Sequence, residues 1–207
     1  MRTIAIINQK GGCGKTTTAI NLAGVFARRG ARTLLIDMDP QSHCAAGFVV
    51  PEQGMDMDIG DAMLLTDPAR LDPARLLWRV SRNLDLAPSR MKLAGLEAAR
   101  GGLADRPDRE QRLAAILTHL ADRYDICLID CAPSIGLLTY NAIIASDAVL
   151  IPVETSFFSL QGATKQVGTV RSLSRRFGLK IPHWLVPTLH EPASPHSKDL
   201  LDELRRR

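Results

Sequence analysis

Two lysines five residues apart, Lys10 and Lys15, bracket the glycines Gly11, Gly12 and Gly14 and the thiol of Cys13, and the hydroxyls of Thr16 and Thr17 follow. The segment leaves an apolar run, Ile4-Ala5-Ile6-Ile7, and enters a helical pattern. These residue types suit phosphate binding. Glycine has no Cβ, so successive backbone N–H groups can turn inward around an anionic oxygen at the positive end of the following helix. Lys15 can then reach the β and γ phosphates of a nucleotide, and the Thr16 hydroxyl sits where Mg²⁺ needs an oxygen ligand.

Two acidic segments add chemistry. In Asp37-Met38-Asp39-Pro40-Gln41, one carboxylate can hold Mg²⁺ or its waters while the other orients an attacking water. Asp130-Cys131-Ala132-Pro133-Ser134 closes a hydrophobic run and places a carboxylate opposite Thr16, able to bind Mg²⁺ through water. The first segment alone could be a solvated turn, and gains a functional sense by its place one βα unit after a glycine loop; an aspartate ending a strand is common, and Asp130 gains its sense from the other two motifs.

The elements that must position these groups alternate. A strand over Thr3 to Asn8 leads to a helix from Lys15 to Arg29, closed by Gly30, and then a strand over Thr33 to Asp37. Pro51, Gly54, Gly60, Pro68 and Pro73 break the region from Ala45 to Arg82 into short helices and loops. Next come a strand over Leu84 to Ala87, a helix from Arg109 to Asp122 capped by Asp108, and a strand over Ile126 to Asp130. Further helices are predicted near Leu137 to Ala145, Leu160 to Phe177 and Ser197 to Arg207, with strands over Ala148 to Val153 and Ile181 to Val186. Near-continuous Ile, Leu and Val strands between amphipathic helices predict an α/β fold, a mostly parallel sheet covered on both faces. Ligands then bind at the strands' carboxyl ends.

With 207 residues and 45% hydrophobic content, the chain can bury a core as a single domain, 1–207. Its four cysteines form no C-x-x-C pair; Cys127 reads as core strand, and Cys131, Cys44 and the histidines lack metal-ligand spacing; with no signal-peptide pattern, a reducing cytoplasm is expected. No apolar run approaches the roughly 20 residues of a membrane span. Residues 1–150 carry 17 basic and 17 acidic side chains and residues 151–207 carry 9 and 5, so the net +4 lies at the C-terminal end. That asymmetry suits a polyanionic partner. Lys165, Arg171, Arg175 and Arg176 oppose Val167, Val170, Leu173 and Phe177 on the helix near Leu160 to Phe177, and Arg205 and Arg206 lie in the basic tail. Such faces can contact DNA phosphates, be simply solvated, or favour a helix macrodipole.

The strict pattern G-x-x-x-x-G-K-[ST] fails here, because Gln9 stands at its first glycine and Lys10 follows. The segment Lys10-Gly11-Gly12-Cys13-Gly14-Lys15-Thr16 resembles the deviant motif of the ParA/MinD class of P-loop ATPases, K-G-G-x-G-K-[ST]. The resemblance continues through Thr17 to Ala23, the two acidic segments and Gly136 to Ala142. It implies a P-loop ATPase domain using ATP and Mg²⁺ that closes as a face-to-face homodimer, with Lys10 reaching the partner's phosphates. It also implies that residues 10 to 17 bind nucleotide, Asp39 directs hydrolysis, and Thr16, Asp39 and Asp130 serve the metal. A ParA protein would bind nonspecific DNA as a dimer, sit on the nucleoid when ATP-bound, and position cargo under a stimulating ParB-like or other partner.

Two features depart from that pattern. His190-Glu191-Pro192-Ala193-Ser194-Pro195 stands where relatives carry basic residues, and the chain stops before the relatives' last strand, base-embracing loop and final helix. Three other classes stay open. A MinD-like membrane switch would need an amphipathic tail with bulky apolar residues, which the Arg-rich end does not supply, so no stable membrane association is expected. An electron-transfer ATPase like the nitrogenase iron protein would need a second suitably placed cysteine beside Cys131. A P-loop small-molecule kinase would make Lys10 incidental. Cys13 would lie beside the phosphates, where N–H dipoles and Lys15 could lower its pKa and make it a redox sensor, or it is simply a small hydrophobe.

Overall fold

The computed structural model describes residues 1–97, 102–155, 157–192 and 195–205. The apolar runs become strands: β1 (Arg2–Ile6), β2 (Thr33–Met38), β3 (Trp78–Ser81), β4 (Leu84–Ala87), β5 (Ile126–Cys131), β6 (Ala148–Glu154) and β7 (His183–Thr188). They join in a seven-stranded sheet of order β3-β4-β2-β5-β1-β6-β7, parallel except for the β3/β4 pair. The helices are α1 (Lys15–Arg28), α2 (His43–Gly47), α3 (Ile59–Leu64), α4 (Pro73–Leu76), α5 (Arg112–Leu120), α6 (Leu137–Ile144), α7 (Phe157–Arg176) and α8 (Pro195–Arg205).

Side chains alternate across the sheet with a period of two, and this alternation builds two cores. Ile6, Leu35 and Leu128 face α1 and α2 through Ala19, Ala23, Ala27, Cys44 and Ala45. On the other face Ala5, Leu34, Ile36, Cys127 and Ile129 pack against α3, α5, α6 and α7 through residues such as Met63, Ile116, Ala142 and Val170. The three buried alanines of α1 let that helix lie close to the sheet, which fixes the loop feeding it. Gly30 ends the helix at φ 93°: its N–H donates to Ala27 O at 3.0 Å and that of Ala31 to Phe26 O at 3.1 Å. This is the left-handed closure expected from the sequence.

Several boundaries differ from the sequence reading. β1 stops at Ile6 because Asn8 leaves the ladder, its Nδ2 donating to Pro152 O at 2.6 Å and its Oδ1 accepting Lys10 N–H. The seventh strand spans His183–Thr188 rather than Ile181 to Val186. Asp108 does not cap α5, which begins at Arg112. Instead Asp108 accepts from Arg112 Nη1 at 2.7 Å, while the buried Arg112 guanidinium also donates to the Met63 and Leu65 carbonyls at the end of α3. A buried cation needs a counter-charge, and Asp108 supplies it. The strand β3 was not expected.

Candidate functional site

β1, β2 and β5 are adjacent, and their carboxyl ends carry the three motifs. Register places Asp37 directly opposite Asp130 across the β2/β5 pair and Ile6 opposite Asp130 across β1/β5. Because Leu35 and Leu128 face α1, the same parity turns Asp37 and Asp130 toward that helix and the glycine loop.

The loop is wound around the Lys15 side chain. Gly12 and Gly14 stand at φ 73° and 87°, a left-handed region that any Cβ would strain. Lys15 is buried, and its Nζ donates to Lys10 O at 3.0 Å, an acceptor shared with Cys13 Sγ at 3.2 Å. Thr188 Oγ1 donates to Cys13 O at 2.8 Å, tying the end of β7 to the loop. The Lys10 side chain goes elsewhere: its Nζ forms an ion pair with Glu154 at the end of β6. Gly11, Gly12 and Thr17 are exposed, and Thr16 is half-buried at the first turn of α1.

The Cys13 thiol is fully buried, and burial raises its pKa more than Lys15 lowers it. The lowering that a redox role requires is therefore reversed, and Cys13 fits the small-hydrophobe reading.

The acidic groups are crowded and dry. Asp37 accepts from the Asp39 and Cys44 N–H groups, each at 3.0 Å, yet burial, reinforced by the neighbouring Asp130 charge, pushes it up to about 7. Burial likewise raises Asp130, while the Thr16 hydroxyl and the Cys44 thiol favour its charged form. Cys44 Sγ lies 3.4 Å from Asp130 Oδ2, and Asp130 Oδ1 is buried without a hydrogen-bond partner. Asp39 is buried; its Oδ1 accepts Gln41 N–H at 2.9 Å and its carbonyl accepts the Ser89 hydroxyl at 2.6 Å. Beyond Asp130, Thr139 Oγ1 donates to Ser134 O, and Glu97 accepts the Leu138 N–H at the start of α6.

Thus Lys15, Thr16, Asp37, Asp39 and Asp130 converge, whereas the basic residues of α7 lie apart from them. Lys165, Arg171 and Arg175 are exposed; Arg176 pairs with Glu110 and stacks over Phe177. Arg206 and the side chain of Arg205 lie outside the described residues. Among the described residues no helix is long and apolar enough to cross a membrane. Sequence reasoning missed Glu154, Thr188 and Cys44 as site neighbours, since each reaches the loop or the carboxylates only through the fold.

Residues 1–181 match the family described as AAA domain (AAA_31). The chain is similar to the chromosome partitioning protein ParA of Myxococcus xanthus, 42% identical over 171 residues, which cover 82% of this chain and 58% of that protein. It is also similar to the sporulation initiation inhibitor protein Soj of Bacillus subtilis, 39% identical over 174 residues, 84% of this chain and 66% of that one. The chain therefore spans less than two thirds of the length of these curated relatives. Among solved structures it resembles cobyrinic acid a,c-diamide synthase from Mycobacterium smegmatis with bound ADP and magnesium, at TM-score 0.90 and 29% identity over 100% of this chain and 82% of that one. Sequence kinship and sheet topology agree: the chain belongs to the AAA domain family, among the ParA/Soj-like P-loop ATPases.

Proposed function

We propose that the chain is a ParA-type ATPase that closes as a sandwich dimer around two ATP molecules and hydrolyses them to ADP and phosphate. In its dimeric form it binds DNA nonspecifically and positions DNA or a protein cargo, and a ParB-like or other partner stimulates turnover. The observation that carries this reading is the separation of the two lysines. Lys15 lies inside its own loop, while the Lys10 ammonium turns out of that loop to Glu154. A cation held outside its own cradle by the Glu154 ion pair could exchange that partner for a neighbouring subunit's nucleotide, where it would act on the charge that develops at the γ phosphate, an effect of about 10³ to 10⁵ in rate.

Within the cradle, Gly11 to Thr17 supply N–H groups and Lys15 the positive charge for the phosphates. The donor set suits Mg²⁺: a Thr16 hydroxyl, the Asp39 carboxylate, and the Asp130 carboxylate with its one unpartnered oxygen. Bound there, Mg²⁺ would neutralise charge on the β and γ oxygens. Asp39, held in place through Gln41 and Ser89, would orient the attacking water. The exposed Lys165, Arg171 and Arg175 of α7 support a DNA face whose affinity falls as salt rises, and they suit a cytoplasmic protein that sits on the nucleoid when ATP-bound.

The likeness to a cobyrinic acid synthase favours a second reading, nucleotide-driven chemistry on a small-molecule acceptor in which Lys10 is incidental. Asp39→Ala tests the first. It should bind ATP, persist as a dimer by light scattering, capture DNA only with ATP and less as salt rises, and lose hydrolysis about 10²-fold or more. Unchanged phosphate release, or DNA capture indifferent to ATP, would contradict the proposal.

A further inference from the structure

We propose that Asp37, Cys44 and Asp130 form a second metal site, selective for a thiophilic divalent cation such as Zn²⁺, whose occupation withdraws Asp130 from the nucleotide pocket and slows turnover. The three residues arrive from the end of β2, the start of α2 and the end of β5, and each is fully buried. One ligand atom from each lies within 4.8 Å of the other two. Cys44 Sγ and Asp130 Oδ2, at 3.4 Å, already have a separation that tetrahedral ligands adopt around a metal with bonds of about 2.3 Å to sulfur and about 2.0 Å to oxygen.

The surroundings are those of a built site. Asp37 is oriented by two backbone donors, Asp39 N–H and Cys44 N–H, the outer contacts that hold a ligating carboxylate in place. Asp130 Oδ1 has no hydrogen-bond partner although it is buried, so the lone pairs that would serve Mg²⁺ in the nucleotide pocket are open to a competing cation. Register keeps Asp37 and Asp130 side by side on paired strands whether or not a metal is present. Two carboxylates and one thiolate favour Zn²⁺ or Cd²⁺, because sulfur selects soft and borderline cations over Mg²⁺. Three protein ligands leave the fourth position to water. On binding, the Cys44 S–H bond breaks, its proton passes to bulk water, and the sulfur–metal bond forms with no change of oxidation state.

Binding at this site stands without any reference to ATP; the slowing of turnover rests on the ATPase reading above. Co²⁺ is the probe for binding. Titrated into the full, nucleotide-free chain, it should give a thiolate-to-cobalt charge-transfer band that saturates at one equivalent and is bleached by Zn²⁺. The band should vanish in Cys44→Ser and persist in Cys13→Ser. Cadmium NMR of the unaltered chain should show a single sulfur ligand, a reading that does not depend on how the variant folds. No band in the unaltered chain, a band that survives Cys44→Ser, or cadmium without sulfur ligation would overturn the site. At buffered free Zn²⁺ that bleaches the cobalt band, ATP turnover should fall at least about tenfold in the unaltered chain and much less in Cys44→Ser. Equal inhibition of both would overturn the regulatory role, whereas a normal cobalt band in a chain with no ATP turnover under any condition would defeat the ATPase reading instead.

Discussion

Lys10 and Lys15 share a loop and have different partners, and the difference is a matter of which way each side chain can turn. Lys15 begins α1, so its side chain folds back over the loop onto the Lys10 carbonyl, where phosphate oxygens would be its natural replacement. Lys15→Ala should therefore weaken nucleotide binding by about 10- to 100-fold or more, since a hydrogen bond from a charged donor contributes roughly 1.5–3 kcal/mol. Equilibrium titration with a fluorescent ATP analogue measures it, and unchanged affinity would remove the residue's role. Lys10 is restrained by Glu154 in its own subunit. Glu154→Gln should free it and tighten ATP-dependent self-association, though by no more than about thirtyfold, because a partly exposed ion pair contributes roughly 0–1 kcal/mol and a dimer would release two of them. Analytical ultracentrifugation would show the shift, and weaker association would mean that Glu154 helps the dimer rather than opposing it. At this scale the sequence is readable where spacing is local: Lys10, the glycines, Lys15 and Thr16 declare their chemistry within seven residues. Glu154 and Cys44 do not, since one lies 144 positions from Lys10 and the other 86 from Asp130, and only the sheet register brings them close.

The β2/β5 pair is the element on which the acidic site depends, because its register sets Asp37 against Asp130. A clamp at the opposite end fixes that register: Arg32, just before β2, meets Asp125, just before β5, through side-chain and backbone hydrogen bonds of 2.7 to 3.2 Å. The Arg32 guanidinium holds the Asp125 carboxyl down at about 2. A carboxylate depressed in the folded state adds stability above its unfolded pKa near 3.8 and loses that contribution as pH falls through about 2. Asp125→Asn should accordingly lower the urea midpoint near neutral pH, and the two proteins should converge below about pH 2 to 3; a gap that widens in acid would contradict the clamp. The strands Leu84–Ala87 and Ile126–Cys131 were legible as apolar runs bounded by turns. β3 was not: its four residues alternate half-buried and exposed in a segment punctuated by prolines, too short a pattern to separate from a loop. The start of α5 differs from the sequence reading for another reason. Asp108 looks like a cap in sequence, but the buried Arg112 claims it as a counter-ion.

Across the whole molecule, helices on both faces leave the carboxyl ends of β1, β2 and β5 as the place where charge gathers, with Lys15, Asp37, Asp39 and Asp130 all buried there. Family kinship accounts for that convergence of Lys15 with the carboxylates. The proposed output follows from one electrostatic idea, that each subunit lends its Lys10 to the nucleotide of the other. Light scattering combined with ATPase assays over a range of protein concentrations tests it most directly, using the unaltered chain and Lys10→Ala. Monomers without nucleotide, dimers with saturating ATP and Mg²⁺, turnover per subunit that rises with concentration, and loss of that rise in Lys10→Ala are the predicted results. Monomers at saturating ATP, hydrolysing at a rate independent of dilution and of Lys10, would contradict it.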